Sequence, residues 1–124
     1  MTNDKSIQMQ YVRLNKDGAV ATITIDRPAV MNAISRRVYA ELDDAFSSAE
    51  VDTDVRVVIV AGMGDHFGAG HDIGSDDMRS ELDEYPRDFS ALGRVREMDR
   101  GVYFHLHDRW RNLGKPTIAM VRGY

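Results

Sequence analysis

The residues with the clearest chemical potential are Gly68-Ala69-Gly70-His71-Asp72, a glycine-rich turn that follows the apolar run 55–61. A strand that ends in such a turn leaves backbone N–H groups without partners, and those groups bind a negatively charged oxygen. Gly70 permits unusual dihedral angles and close approach of a ligand. The N–H of His71 would then face a carbonyl oxygen that becomes negative during a reaction, as half of an oxyanion hole. A tight turn that uses glycine for geometry alone is the open alternative.

The other titratable residues favour less specific interpretations. His105 and His107 are two positions apart, so on a helix they point in different directions and do not bind one metal ion, and no metal site is predicted. The side chain of His71 is either an acid–base group or an ordinary exposed loop histidine. The acidic residues between positions 76 and 84 predict a solvated loop face, because no apolar residues surround them to raise a pKa.

The glycines do not match a dinucleotide-binding fingerprint. Gly62-Met63-Gly64 is followed by Phe67, and Gly68-Ala69-Gly70 by Ile73, where a third glycine would be needed. A nucleotide-binding α/β domain therefore remains only as a third hypothesis, behind the two given below.

Composition limits the class of protein. The chain has 124 residues with 20 acidic and 16 basic side chains, a formal net charge of −4 and no cysteine. These numbers predict one folded domain over residues 9–124 after a flexible polar lead-in, residues 1–8. They predict no nucleic-acid partner, no disulfide and no thiolate metal site. The longest apolar run is too short to span a bilayer and the first ten residues do not resemble a signal peptide, so we expect a cytoplasmic protein without a membrane partner.

The elements around the turn follow from hydrophobic periodicity. Alternation and an Asp-Gly turn predict a hairpin of strands 11–14 and 19–26. Ser35 is the expected N-cap of a helix that continues to about Glu50. The apolar stripe of this helix comprises Val38, Leu42, Ala45, Phe46 and Ala49, and Glu41 lies off it.

The second half of the chain repeats the pattern of a strand that ends on glycine. Residues 55–61 predict a strand covered on both faces. Residues 74–87 are the least regular stretch and are interpreted as mobile. A long helix is predicted from about Phe89 to Asn112, followed by a core-like strand over 117–121. The predicted order is β-β-α-β-turn-α-β, an α/β fold.

Four segments in this order resemble the enoyl-CoA hydratase/isomerase (crotonase) superfamily. They are Ile25-Asp26-Arg27-Pro28-Ala29-Val30-Met31-Asn32-Ala33-Ile34, the apolar strand 55–62, the turn Phe67-Gly68-Ala69-Gly70-His71-Asp72-Ile73, and Lys115-Pro116-Thr117-Ile118-Ala119-Met120-Val121-Arg122-Gly123-Tyr124. The resemblance covers the chain from about residue 10 onward. It implies the first two turns of a truncated crotonase-like β-β-α spiral.

The resemblance also implies a function in fatty acid metabolism. Members of the family bind acyl-CoA thioesters and stabilise an enolate with two peptide N–H groups, of which the first maps to the backbone of His71. By position, the CoA-holding residues would be Ala29, Val30, Met31, Ala69, Gly70, His71, Asp72 and Ile73. Coenzyme A would enter as part of the substrate, so no separate cofactor is expected. Many relatives have alanine where His71 stands, and its ring is expected to narrow the pocket.

In relatives, the second N–H and the catalytic acids lie beyond the position of Tyr124. Loss of one oxyanion donor costs on the order of 10²–10³ in rate, and loss of each acid–base group about 10²–10⁴. The first hypothesis is therefore a truncated hydratase/isomerase-like protein that is inactive alone. The second is a non-catalytic assembly protein, in which the bare surface around strand 117–121 produces a homo-oligomer through an interface that the family does not use.

Overall fold

The computed structural model describes residues 9–86, 90–96 and 102–124. The predicted lead-in, residues 1–8, lies outside them. In the described part, four strands form one sheet: β1 (Val12–Asp17), β2 (Val20–Ile25), β3 (Val57–Gly62) and β4 (Thr117–Met120). The strand order is β1-β2-β3-β4, with β1 antiparallel to β2 and the other two pairs parallel. The predicted α/β class is confirmed.

The hairpin turn is tighter than the sequence analysis predicted. Asp17 pairs with Val20, so only Gly18 and Ala19 connect the strands, and Gly18 has φ +57°. Residues 15–17 were expected in the turn, but they continue β1 because a two-residue loop with positive φ fits the twist of the paired strands.

Helix α1 (Arg36–Val51) covers one face of the sheet and forms the core with β2. Ser35 is its N-cap, with Oγ accepting from the N–H of Val38 at 3.4 Å. All five residues of the predicted stripe are buried, as are the alternate β2 residues Ala21, Ile23 and Ile25. Glu41 lies off the stripe, but it is nevertheless fully buried. Its carboxylate accepts from the N–H groups of Gln10, Tyr11 and Val12, at the start of β1.

The segment after β3 contains more regular structure than was expected. Helix α2 (Asp76–Ser80) lies inside the stretch interpreted as irregular. Two further helices follow, α3 (Ala91–Arg96) and α4 (Tyr103–Arg111). A single helix through Val102 is wrong, because Val102 has the non-helical angles φ −131° and ψ −59°. Phe89 and residues 97–101 of that prediction lie outside the described residues.

The prediction that β3 is covered on both faces was also wrong, since several of its side chains are only half-buried. Strand β4 lies at the edge of the sheet, and all four of its residues are exposed, so it is not the core strand that was predicted. Among the helices that the structure describes, none is long and apolar enough to cross a membrane.

Candidate functional site

Two of the sequence segments that were expected to bind CoA lie side by side. The N–H of Ala69 donates to the carbonyl of Met31 (2.9 Å), and the N–H of Ile34 donates to the carbonyl of Gly70 (2.8 Å). The N–H of Asp72 then donates to the carbonyl of Ile34 (3.0 Å), which completes a parallel bridge between Ile34 and His71. Two segments that are distant in sequence therefore form one unit.

The first segment is shaped by left-handed backbone. A 3₁₀ turn, Pro28–Val30, is followed by Met31 at φ +52° and Asn32 at φ +54°. The buried amide of Asn32 accepts from the N–H of Arg27 (2.9 Å) and donates to the carbonyls of Met63 (2.9 Å) and His66 (2.7 Å). Asparagine tolerates this conformation better than most residues, and here its side chain joins the loop to the end of β3.

The backbone N–H of His71 has no acceptor among the described residues. Its direction follows from peptide geometry, because the N–H of a trans peptide points opposite to the carbonyl of the same peptide. No described peptide is cis, and the Gly70 carbonyl faces the N–H of Ile34. The His71 N–H therefore points away from the Ile34 segment. Gly70 has φ +98°, a conformation that disfavours a side chain.

The other side of the turn contacts the segment after β4. The N–H groups of Phe67 and Gly68 donate to the carbonyls of Arg122 and Tyr124, each at 2.8 Å. Gly123 has φ +61°, and a Cβ there would overlap with the imidazole of His66. The backbone N–H groups of residues 67–69 are thus satisfied, whereas those of Gly70 and His71 have no acceptor among the described residues.

A buried ion pair fixes the end of the turn. Nη2 of Arg27 lies 3.1 Å from the carboxylate of Asp72, and both side chains are almost completely buried. Burial alone would raise the pKa of Asp72, but hydrogen bonds from the hydroxyl and N–H of Ser75, with those from Gly74 and Arg27, lower it. The Asp72 carboxylate is therefore ionised and already engaged. Any contact of Asp72 with CoA falls to its backbone.

The remaining predicted CoA residues are accessible. Ala29, Met31, Ala69, Gly70, His71 and Ile73 are exposed, and Val30 is half-buried. Beside the 3₁₀ turn lies a cleft of about 270 Å³, lined by Pro28, Met31, Asn32, Met63, Gly64, Asp65 and His66. The turn residues 69–73 do not line this cleft.

The histidine side chain of the turn is not free. Nε2 of His71 lies 3.0 Å from the hydroxyl of the buried Tyr39, on α1. The ring of His71 also meets the ring of Tyr103 edge to face, with centroids 4.6 Å apart. This contact occupies Nε2 of the ring, while the backbone N–H of the same residue has no acceptor among the described residues.

The acidic stretch is only partly the solvated face that was predicted. Glu81 is buried, and its carboxylate accepts from Ser35 Oγ (2.8 Å) and from the N–H of Arg37 (3.1 Å). Asp77 lies 3.2 Å from Arg27. The prediction of a solvated Glu81 was wrong, because polar groups at the start of α1 provide partners that hydrophobic periodicity does not reveal.

Sequence reasoning missed three residues that shape the site: Arg27, Asn32 and Tyr39. Two of them stand in the segment 25–34 that was already recognised as a motif. An arginine before Pro28 and an asparagine in a loop are weak signals of buried hydrogen-bonding roles. The sequence does not indicate that Tyr39 is buried, because Tyr39 follows Val38 and lies outside the predicted apolar stripe.

Comparison with known proteins agrees with the fold. The family model of enoyl-CoA hydratase/isomerase matches residues 15–124. A Mycobacterium tuberculosis protein with the name "Putative enoyl-CoA hydratase EchA13" is 42% identical over 94% of this chain and 40% of its own length. The peroxisomal Delta(3,5)-Delta(2,4)-dienoyl-CoA isomerase of Arabidopsis thaliana is 36% identical over 99% of this chain and 44% of its own.

The same similarity is found among solved structures. A crystal structure from Mycobacterium smegmatis, described as a probable enoyl-CoA hydratase, superposes with a TM-score of 0.77 at 35% identity, covering 93% of this chain and 42% of that one. The chain spans about 40% of the length of the curated relatives it matches. Its sheet and helices form part of the crotonase fold, and the chain belongs to the enoyl-CoA hydratase/isomerase family.

Proposed function

We propose that this chain provides the thioester-binding part of an acyl-CoA site. The parent reaction is hydration or isomerisation of an unsaturated acyl-CoA, in which an enolate forms at the thioester oxygen. The observation that carries this proposal is the unpaired N–H of His71, directed away from the Ile34 segment by the bond between Ile34 and Gly70. Hydrogen-bond donors that are already oriented stabilise developing negative charge without reorganisation.

The CoA moiety is proposed to lie along the joined segments 29–31 and 69–73. Their exposed surface is continuous through the bond between Ala69 and Met31, and the cleft beside Pro28 offers room for a further part of the ligand. Coenzyme A enters with the substrate, so the proposal requires no separate cofactor.

We propose little or no hydratase turnover for a protein of these 124 residues alone. Acid–base chemistry needs a carboxylate or imidazole that can change its protonation state near the substrate. Within the described turn, the Asp72 carboxylate forms an ion pair with Arg27 and accepts a hydrogen bond from Ser75, so it is not free to act as an acid or a base. The second oxyanion donor and the acids of the family reaction are expected from sequence beyond Tyr124.

Calorimetric titration with crotonyl-CoA and with free CoA tests the proposal. We expect both ligands to bind, crotonyl-CoA more tightly, with no loss of the enoyl absorbance over hours. Binding of neither ligand would refute the proposed site, and hydration at a rate typical of enzymes would refute the inactivity. Saturation with NAD or ATP and no response to CoA would favour a nucleotide-binding domain instead.

The second candidate function is self-association, which the exposed strand β4 favours. Ile118, Met120 and Val121 are all more than half exposed, and β4 forms the sheet edge. A homo-oligomer through this edge would cover them, and the interface would differ from those of the family. Light scattering from about 1 to 100 μM, a range that populates a typical weak dimer, should then give more than the monomer mass. A monomer at every concentration would contradict this candidate.

A further inference from the structure

A cluster of aromatic rings lies behind the His71 turn and joins three elements. Tyr39 of α1 contacts the ring of His71, and it meets Tyr103 and Trp110 of α4 at centroid distances of 5.3 and 6.1 Å. Trp110 also stacks on Phe46 at 5.1 Å. The turn is therefore backed by a packed aromatic layer in which Tyr39 is almost completely buried.

Within this cluster, the Tyr39 hydroxyl and Nε2 of His71 form a hydrogen bond of 3.0 Å. Burial, with a smaller contribution from Tyr103, raises the pKa of Tyr39 to about 12. The hydroxyl therefore keeps its proton at neutral pH, and it can donate to Nε2 of a neutral imidazole whose proton is on Nδ1. The bond holds the His71 ring from the side opposite to solvent.

Side-chain packing does not restrain the backbone of the turn at Gly70. Glycine has more accessible dihedral angles than other residues, and a Cβ at Gly70 would meet nothing within 4 Å. The bridge to Ile34 holds the Gly70 carbonyl and the Asp72 N–H on either side of His71. Only the carbonyl of the Gly70–His71 peptide itself is bonded, so this peptide can still tilt about that bond. A second restraint, on the side chain of His71, would fix the orientation of the peptide plane.

We infer that Tyr39 is a positioning residue for the oxyanion N–H: its hydroxyl holds the His71 ring and thereby orients the Gly70–His71 peptide toward a thioester oxygen. This inference rests on the proposed function of that N–H. An oxyanion donor is effective only when it lies within about 0.5 Å and 10–20° of the productive geometry. Tyr39 itself does not touch the substrate.

The matched variants are Tyr39→Phe and Tyr103→Phe. Each removes one hydroxyl and keeps the ring, and both rings contact His71. The Tyr103 hydroxyl makes no hydrogen bond within the described part of the chain, so only the first variant removes a bond to His71. Equilibrium unfolding of each variant separates an effect on the site from a loss of fold.

The readout is the near-ultraviolet absorbance of bound acetoacetyl-CoA. This thioester loses a C2 proton to buffer and forms an enolate, whose bound fraction reports stabilisation of negative charge at the thioester oxygen. Free CoA carries no such oxygen and serves as a reference for binding alone. A single hydrogen bond of ordinary net strength corresponds to a factor of about 2–10 in an equilibrium constant.

We expect Tyr39→Phe to lower the enolisation constant of the bound ligand by about 2–10-fold, with the Kd of free CoA unchanged. Tyr103→Phe should match the wild type in both. Equal enolate formation in all three proteins, or an equal loss in both variants, would overturn the positioning role.

The ligand-free protein provides an independent measurement. The backbone amide resonance of His71 should shift in Tyr39→Phe and stay in place in Tyr103→Phe. If the wild type forms no enolate, the proposed function fails, while a selective shift of this resonance still supports the restraint by Tyr39. Identical His71 resonances in the wild type and Tyr39→Phe would overturn that restraint with or without a ligand.

Discussion

Replacement of Asn32 by aspartate tests how the site loop is attached to the end of β3. The side chains have the same shape, but the aspartate has an oxygen in place of the amide nitrogen. That nitrogen donates to the carbonyls of Met63 at 2.9 Å and His66 at 2.7 Å. Asn32→Asp therefore turns two hydrogen bonds into two close contacts between oxygens in a fully buried place.

The magnitude follows from the groups that lose partners. The bond from the N–H of Arg27 to Oδ1 survives, whereas both carbonyls lose their donor and a buried carboxylate faces them. Breaking a buried polar pair in this way costs about 3–5 kcal/mol, against a total stability of roughly 5–15 kcal/mol for a domain. We expect the melting temperature to fall by about 10–20 °C.

The loss of stability in Asn32→Asp should depend on pH in a definite direction. Burial against two carbonyls should raise the folded-state pKa of the carboxyl introduced at position 32 above the value of about 3.9 for an unfolded aspartate. The protonated acid can donate one of the lost bonds, so the deficit should be largest at pH 7 and shrink as the pH falls toward about 4.

Urea unfolding of the wild type and Asn32→Asp at pH 7 and at about pH 4.5 measures both effects. Asn15→Asp makes the same chemical change on the exposed face of β1 and should cost less than about 0.5 kcal/mol. A loss below about 1 kcal/mol for Asn32→Asp at pH 7, or a deficit that grows in acid, would refute the reasoning.

Three further predictions concern the same region. Asp72→Asn should lower the free energy of unfolding by about 1–3 kcal/mol. Because the pKa of Asp72 is lowered in the folded state, the wild type should lose this advantage as the pH falls below about 4. Urea unfolding of both proteins at a series of acidic pH values measures this loss. Gly62→Ala places a Cβ against the carbonyl of His66 and should cost about 2 kcal/mol or more by urea unfolding, whereas Gly74→Ala meets nothing within 4 Å and should be near neutral. Burial raises the pKa of Tyr39 from 10.0 to about 12. The free energy of unfolding should therefore fall by at most about 3 kcal/mol as the pH rises from 10 to 12, because the unfolded tyrosine loses its proton first. Tyr39→Phe should lack this decrease.

The sequence was sufficient for the elements whose side chains repeat with a simple period. The α1 stripe from Val38 to Ala49, its cap at Ser35 and the alternate residues of β2 were all placed correctly. These features depend on neighbours within one or two turns of the chain, so local periodicity specifies them. The failure of the long helix at Val102 shows the limit, because an apolar stripe does not reveal where backbone angles leave the helical region.

The polar interior could not be predicted in the same way. Glu41 pairs with backbone 29–31 positions earlier, Arg27 with a carboxylate 45 positions later, and Asn32 with carbonyls 31 and 34 positions later. Their burial depends on which donors and acceptors the fold leaves unpaired, and that is known only when distant strands and loops are placed together. A charged residue in a single sequence is, by contrast, most often exposed.

The unpaired N–H of His71 lies beside these buried polar contacts. Around it, the side chains of Arg27, Asn32 and Asp72 bond to backbone groups. The N–H groups of Phe67, Gly68, Ala69 and Asp72 each donate to a carbonyl, whereas that of Gly70, like that of His71, has no acceptor among the described residues. An unpaired donor in a loosely bonded loop would be ordinary. Here, the bond that aligns Ile34 with Gly70 also directs the next N–H outward, because the two groups belong to one planar peptide. The bond that builds the turn therefore also directs this donor outward, and the inferred restraint by Tyr39 would complete the orientation that a ligand oxygen needs.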